Sequence, residues 1–173
     1  MGQVSHSEQI EASPEQVWAA LTNVTRLPDW AYKEGRFPYP VEGRYGSEQH
    51  EGPGAIWIGV AADGQVATQQ ITLWEPPKKL GYELVAMEHA PLPMSQSNTF
   101  ELEPVEQATK ITWTVTWELT AGFSLGKLLL RFSASNAFAE MIAGSLENLK
   151  ALVETETVSA AESPPAEDPE TGV

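Results

Sequence analysis

Lys110-Ile111-Thr112-Trp113-Thr114-Val115-Thr116-Trp117-Glu118-Leu119-Thr120 is the stretch around which the rest of the chain arranges itself. Ile111, Trp113, Val115, Trp117 and Leu119 alternate with Thr112, Thr114, Thr116, Glu118 and Thr120. A period of two in β-branched and aromatic residues predicts a strand with one buried and one wet face, the signature of an antiparallel sheet. Just upstream, Met94–Pro104 reads as its hairpin partner, closed over Val105–Thr109. Further back, Ala55–Val60 and Val66–Glu75 flank Ala62-Asp63-Gly64-Gln65, whose Asp-Gly is a strong hairpin signal. Glu75-Pro76-Pro77-Lys78-Lys79 is a turn into Leu80–Val85, His89–Pro93 is a proline-bearing loop, and Arg44–His50 adds a further strand. With Gln3–Glu11 at the start, the chain offers about seven strands in meander order.

Two helical regions interrupt this pattern. Ser13-Pro14-Glu15-Gln16 combines an N-cap serine, a proline suited to the first helical position and a capping-box glutamine, so a short helix carries Val17, Trp18, Ala20 and Leu21. Asn23–Trp30 reads as a second helical turn, stopped by Pro28. After the last strand, Leu128, Phe132, Ala139, Ile142, Leu146, Leu149 and Val153 follow 3–4 spacing and predict one long helix over Ser124–Glu154, with a break near Ser133–Asn136.

Composition narrows the function classes. The 173 residues are 42% hydrophobic and include no Cys, which removes disulfides, thiolate metal sites and cysteine nucleophiles together. Only His6, His50 and His89 are present, too few for a multi-histidine metal centre, and no cofactor is expected. Ten Lys+Arg stand against 24 Asp+Glu, a formal charge of −14 that repels phosphate backbones and anionic lipid heads. Nucleic acid is therefore not an expected partner, and lasting membrane contact is disfavoured. Five of the acids and three prolines fall in 155–173, which has no base and no aromatic; it is expected to be a disordered acidic tail behind a single domain over 1–154. The first twenty residues carry no basic-then-apolar leader, and no apolar run reaches the ~20 residues of a membrane span, so a soluble cytoplasmic chain is expected.

A twisted sheet of this size has one continuous apolar face, and a single long helix is available to cover it. The sheet must curl around that helix, giving an α+β helix-grip fold. Small residues on the helix, Ser135 and Ala139 between Phe132 and Ile142, are expected to leave volume for an apolar cavity.

Three segments match a known family in order. Ile10-Glu11-Ala12-Ser13-Pro14-Glu15-Gln16-Val17-Trp18 with Leu21 and Leu27-Pro28-Asp29-Trp30 resembles the opening of the START/Bet v 1-like (SRPBCC) superfamily. Glu75-Pro76-Pro77-Lys78-Lys79-Leu80 resembles that family's junction between middle strands, and Ser145-Leu146-Glu147-Asn148-Leu149-Lys150 its helix ending. The resemblance covers residues 3 to 154. It implies a helix-grip fold with a hydrophobic ligand cavity, and it implies no single activity, since members include lipid carriers, hormone receptors, aromatic polyketide cyclases and oxygenase subunits.

The expected cavity wall follows from strand parity. Trp113, Val115 and Trp117 face inward, the two indoles lining a cavity or packing the core. Phe100 and Leu102 share a face with Asn98 and Gln96, and Ile71 and Leu73 with Gln69; an inward amide meets either a ligand or a structural partner. Tyr82 joins Leu80 and Leu84, Trp57 competes with Ile56 and Ile58 for the inner face, and Phe138 and Ile142 look down from the helix.

No catalytic constellation stands out. His89, in a loop at the expected cavity mouth, and Glu48, beside His50, are the acid–base candidates; His6 with Glu8 sits on a first strand read as solvated. Glu51-Gly52-Pro53-Gly54 lacks the ending of a phosphate loop and reads as a turn. Phe123–Phe132 could gate the cavity, touch a membrane surface or meet a partner chain, with Leu125–Phe132 as a docking segment in an accessory protein; a homodimer is a separate option. The expected role is binding or transport of a small hydrophobic molecule, such as a lipid, polyketide or aromatic. The alternative is a polyketide cyclase or dehydratase using acid–base residues in the same cavity.

Overall fold

The computed structural model describes residues 1–89, 94–119 and 124–162, with 124–132 and 162 described by their backbone. Its strands are β1 (Gly2–Ile10), β2 (Pro40–Tyr45), β3 (Ile56–Ala61), β4 (Val66–Glu75), β5 (Lys79–Glu88), β6 (Met94–Val105) and β7 (Ala108–Leu119). They form one antiparallel sheet in the order β1-β7-β6-β5-β4-β3-β2. Between β1 and β2 lie helix α1 (Pro14–Thr22), a 3₁₀ turn (Val24–Arg26) and helix α2 (Leu27–Trp30). Helix α3 (Ser124–Glu162) follows β7 and lies in the curl of the sheet, which is the expected α+β helix-grip fold.

Local chemistry explains most element boundaries. The α1 capping box is complete: Gln16 N donates to Ser13 Oγ at 3.3 Å, and Ser13 N donates to Gln16 Oε1 at 2.9 Å. Gly64, at φ 87°, supplies the left-handed position of the β3–β4 turn, and Asp63 Oδ1 accepts from Gln65 N. Pro28 does not stop a helix as expected. It sits in the first turn of α2, where a missing N–H costs nothing.

β2 lies upstream of the expected Arg44–His50 strand. Ser47 Oγ accepts from Ile56 N and donates to Gln49 O, while Gln49 Nε2 donates to Glu51 O and Pro53 O. These side-chain bonds fold the segment after β2 into a braced loop instead of a ladder. Within that loop Gly52 and Gly54 adopt positive φ, and Gly54 N donates to Ile71 O, so Glu51–Gly54 is a structural turn.

Two irregularities in the β4–β5 pairing reset which side chains face inward. Ile71 pairs with Tyr82 but Leu73 pairs with Gly81, so Thr72 is an extra residue on β4. The parity flips there, and Trp74, not Leu73, turns inward against Trp18 and Trp57. Gln69 pairs with Leu84 and Thr68 with Ala86, which makes Val85 the extra residue on β5. Past Glu83 and Ser97, β5 and β6 no longer pair, although β5 stays on β4 and β6 stays on β7. The sheet is therefore split at that end.

α3 runs unbroken through Ser133–Asn136, where a break was expected, and continues to Glu162. At 1.5 Å per residue its 39 residues span about 58 Å. The first eight residues assigned to the acidic tail, 155–162, are thus helical, because the helix end is tied to the body. Arg26 donates to both carboxylate oxygens of Glu156, Gln16 Nε2 donates to Thr157 Oγ1 at 3.2 Å, and Glu11 N donates to Glu154 Oε1 at 2.9 Å. The rest of the expected tail, 163–173, lies outside the described residues, as do 90–93 of the expected His89–Pro93 loop and the side chains of Leu125–Phe132.

The packed core sits on one side of the molecule. Ile142, Leu146, Leu149 and Val153 of α3 are buried with Ile10, Phe100, Ile111, Val115 and Trp117 from β1, β6 and β7. β1 is the strand against which α3 chiefly packs. The β3–β5 half of the inner face receives less of the helix and is roofed by residues 27–40.

Candidate functional site

Under that roof are two adjoining cavities that share Leu27, Phe37, Gln69, Gln96 and Met141 as common wall. The larger measures about 480 Å³, within the range of roughly 300–1,000 Å³ typical of ligand sites. Its floor is Gly59 and Ala61 on β3, Ala67 and Gln69 on β4, and Leu84 and Met87 on β5. Gly59, Ala61 and Ala67, the small residues among them, create the volume. Gly59 pairs with Ala67 in register, so two adjacent strands lack bulk at one spot. The expectation that Ser135 and Ala139 would leave the space is not met, since Ala139 is exposed. The larger cavity also adjoins the split between β5 and β6, where Met87 and Met94 line it from either strand.

The smaller cavity, about 130 Å³, lies deeper against the packed core, between Trp30 and Tyr32 of the roof, Tyr82, Asn98 and Trp113 of the sheet, and Ser145 of α3. The roof is anchored there by Tyr32 N donating to Ser145 Oγ at 3.0 Å. Gly144 makes room for it, because a Cβ at that position would run into the Tyr32 ring. Asn98 is 2% exposed, and its Oδ1 accepts from Trp113 Nε1 at 3.0 Å and from Gln96 Nε2 at 3.4 Å. Its Nδ2 is buried with no partner among the described residues, and so is Trp30 Nε1. Burial alone pushes the Tyr82 phenol well above its ordinary value of 10.0, which keeps it protonated at neutral pH.

The expected binding residues divide accordingly. Gln69 borders both cavities, Tyr82, Asn98 and Trp113 border the smaller, and Phe138 borders the larger, held by Phe37 at 4.6 Å between ring centres. Ile71, Phe100, Val115, Trp117 and Ile142 are inward as expected but sit in the solid part of the core. Trp57 does face inward, donating to His50 O at 3.3 Å and packing against Trp74 and Tyr82, without bordering either cavity. Leu73 is turned off the inner face by the β4 bulge. The 31–39 part of the roof went unpredicted, because its irregular backbone has no period to follow, and Trp30, though read within a helical turn, was not expected to line the site. The pair of small inward residues Gly59 and Ala67 was a usable signal.

The acid–base candidates lie elsewhere. His89, at φ 62°, and Glu48 are exposed, and His50 is stacked on Tyr45 at 4.0 Å. His6 and Glu8 are not on a solvated face: both are half-buried on the inner side of β1 facing α3. Glu8 Oε1 accepts from Lys150 Nζ at 3.0 Å, a tie between β1 and α3. None of these residues borders either cavity, and the described wall includes no carboxylate or imidazole. No group of three or more potential metal ligands occurs among the described residues, and no described helix is long and apolar enough to cross a membrane.

Solved structures share this fold. XoxI from Bacillus cereus matches with a TM-score of 0.67 at 20% identity, covering 88% of this chain and 96% of its own. Protein MLL2253 from Mesorhizobium loti matches at 0.63 and 20% identity over 89% and 98%, and protein NE0264 from Nitrosomonas europaea at 0.65 and 14% identity over 90% and 96%. No curated protein matches the chain. A family model, described as polyketide cyclase / dehydrase and lipid transport, matches residues 1–154. With the half-barrel closed on α3 and a hollow under its roof, the chain belongs to the polyketide cyclase / dehydrase and lipid transport family, within the START/Bet v 1-like superfamily.

Proposed function

We propose that this protein binds and carries a small hydrophobic molecule, a lipid, polyketide or aromatic compound, in the paired cavities between β3–β5 and residues 27–40, as a soluble cytoplasmic carrier. The observation that carries the reading is a hollow of about 480 Å³ whose wall is mostly apolar, with three glutamines and Arg36, itself 3.8 Å from Glu140, as its polar groups. Burying about 200 Å² of ligand surface there would contribute about 5 kcal/mol before the cost of association is subtracted. A cyclase or dehydratase needs a titratable group beside the substrate. The described wall offers no carboxylate or imidazole, and burial of the Tyr82 phenol keeps it from serving as a base, which supports carriage over base-dependent catalysis.

Native mass spectrometry of purified protein against a panel of neutral lipids and aromatics tests this. Stoichiometric complexes are expected, and Ala67→Leu, which fills the floor of the larger cavity, is expected to weaken them by about tenfold or more with the fold intact. A panel without a single binder, or binding indifferent to Ala67→Leu, would remove the cavity from consideration.

A further inference from the structure

Trp30 and Asn98 border the same 130 Å³ chamber, one from the roof and one from the sheet, and each carries a buried side-chain N–H, Nε1 and Nδ2, that has no partner among the described residues. Leaving such a donor unpaired costs about 1–3 kcal/mol, so a pair of them in one small space is not accidental packing. The Asn98 amide cannot escape by flipping. Its Oδ1 already accepts from Trp113 Nε1 and Gln96 Nε2, and a flip would point its NH₂ at two other donors. Trp30 is fixed too, edge-on to Trp113 with ring centres 6.3 Å apart. Both side chains are therefore held in place, and their N–H groups become available to a ligand by a small shift of the chamber wall.

The chemistry of the surrounding wall restricts what they receive. No Lys, Arg, His, Asp or Glu borders the chamber. A carboxylate seated there would lose its hydration without gaining a counter-charge, in a protein already at −14. An uncharged carbonyl has two lone pairs for two donors and no proton of its own to place.

We infer that the smaller chamber is a recognition subsite for an uncharged carbonyl oxygen, of a ketone, ester or amide, which accepts from Trp30 Nε1 and Asn98 Nδ2 while the apolar remainder of the ligand fills the larger cavity. The inference rests on the proposed binding function and specifies its ligand class. The smaller chamber thereby favours an oxygenated uncharged group over a plain hydrocarbon and over a carboxylate seated at that spot.

Three shape-matched probes test it by calorimetry on the full chain: naphthyl methyl ketone, isopropenylnaphthalene, in which CH₂ replaces the oxygen, and naphthoate. The ketone is expected to bind about tenfold more tightly than either of the others. The Trp30 indole N–H resonance, assigned through Trp30→Phe, should move downfield with the ketone and stay in place with the hydrocarbon. Trp30→Phe and Asn98→Leu should each cut the ratio of ketone to hydrocarbon affinity several-fold. Asn98→Leu also strips Trp113 Nε1 of its acceptor, so if that variant does not fold, Trp30→Phe decides alone. Equal affinity for ketone and hydrocarbon would overturn the carbonyl subsite and leave cavity binding standing. Naphthoate binding tightest would overturn the preference for an uncharged group. No binding by any of the three would overturn the cavity reading beneath it.

Discussion

Glu8 and Asn98 both face the interior, yet their partners give them opposite roles. Glu8 is satisfied: the hydrogen bond from Lys150 outweighs desolvation and, with the Gln9 backbone N–H, holds its carboxyl below the usual 4.5. Lys150 is correspondingly raised, chiefly by the same bond, with Glu154 and Glu11 adding to it. A carboxyl depressed in the folded state contributes stability above its unfolded pKa, and that contribution is lost as pH falls through the folded value. Melting temperature is therefore expected to fall as pH drops from about 5 to about 3, and Glu8→Gln, with no proton to gain, should show a shallower slope over that window. The slope will not vanish, since Glu156 is depressed by Arg26 in the same way. Identical acid limbs in the two proteins would show that Glu8 does not carry the effect. Asn98 is left half-satisfied, with its Nδ2 lacking a partner among the described residues. Parity placed Asn98 inward, whereas Glu8 was read on a solvated strand, because the partners that decide the two cases lie 142 and 15 residues away.

At the level of elements, regular strands were legible and irregular joins were not. β4 matches its expected bounds of Val66–Glu75, because the Asp-Gly turn and the prolines bracket it and Val66, Thr68, Ile71, Thr72 and Trp74 favour a strand. The same strand defeated the assignment of Leu73, because the bulge at Thr72 depends on how β5 pairs and leaves no mark in composition. The end of α3 was misread for a related reason. Acidic, proline-bearing composition over 155–173 suggested disorder, but Arg26, on a separate element, clamps Glu156 and draws the helix on. Truncation after Glu154 is therefore expected to lower the melting temperature by a few degrees. Glu156→Gln in the full chain should by itself reproduce on the order of 0.5–1 kcal/mol of that loss in urea titrations, the usual scale for a part-exposed pair. A truncated chain melting with the full-length protein would show that the Arg26 clamp contributes nothing.

Across the whole molecule, the interior is divided into a solid half and a hollow half, and this division makes it a container. Hollowness itself was legible: one helix cannot fill the concavity of a seven-stranded sheet. Its location was not, because inward parity marks Val115 and Gln69 alike, and only the packing of α3 against β1 and β7 separates them. The division has an energetic consequence. Backbone bonds in β7, β6 and the 142–153 part of α3 lie over buried aliphatic and aromatic side chains, so they should open only with global unfolding. Beyond Glu83, β5 is paired on one side only, bears the Val85 bulge and exposes Val85 and Met87 at 52% and 38%. Amide hydrogen exchange should therefore show residues 84–88 opening several-fold or more faster than the β7 ladder. A ligand spanning both cavities would touch Leu84, Met87 and Gln96, and it should slow exchange on β5 and the 27–40 roof while leaving β7 unchanged. Uniform protection across the sheet in the free protein, or a ligand that raised every strand equally, would mean that the two halves behave as one cooperative core and that the hollow is not a separately movable part of the fold.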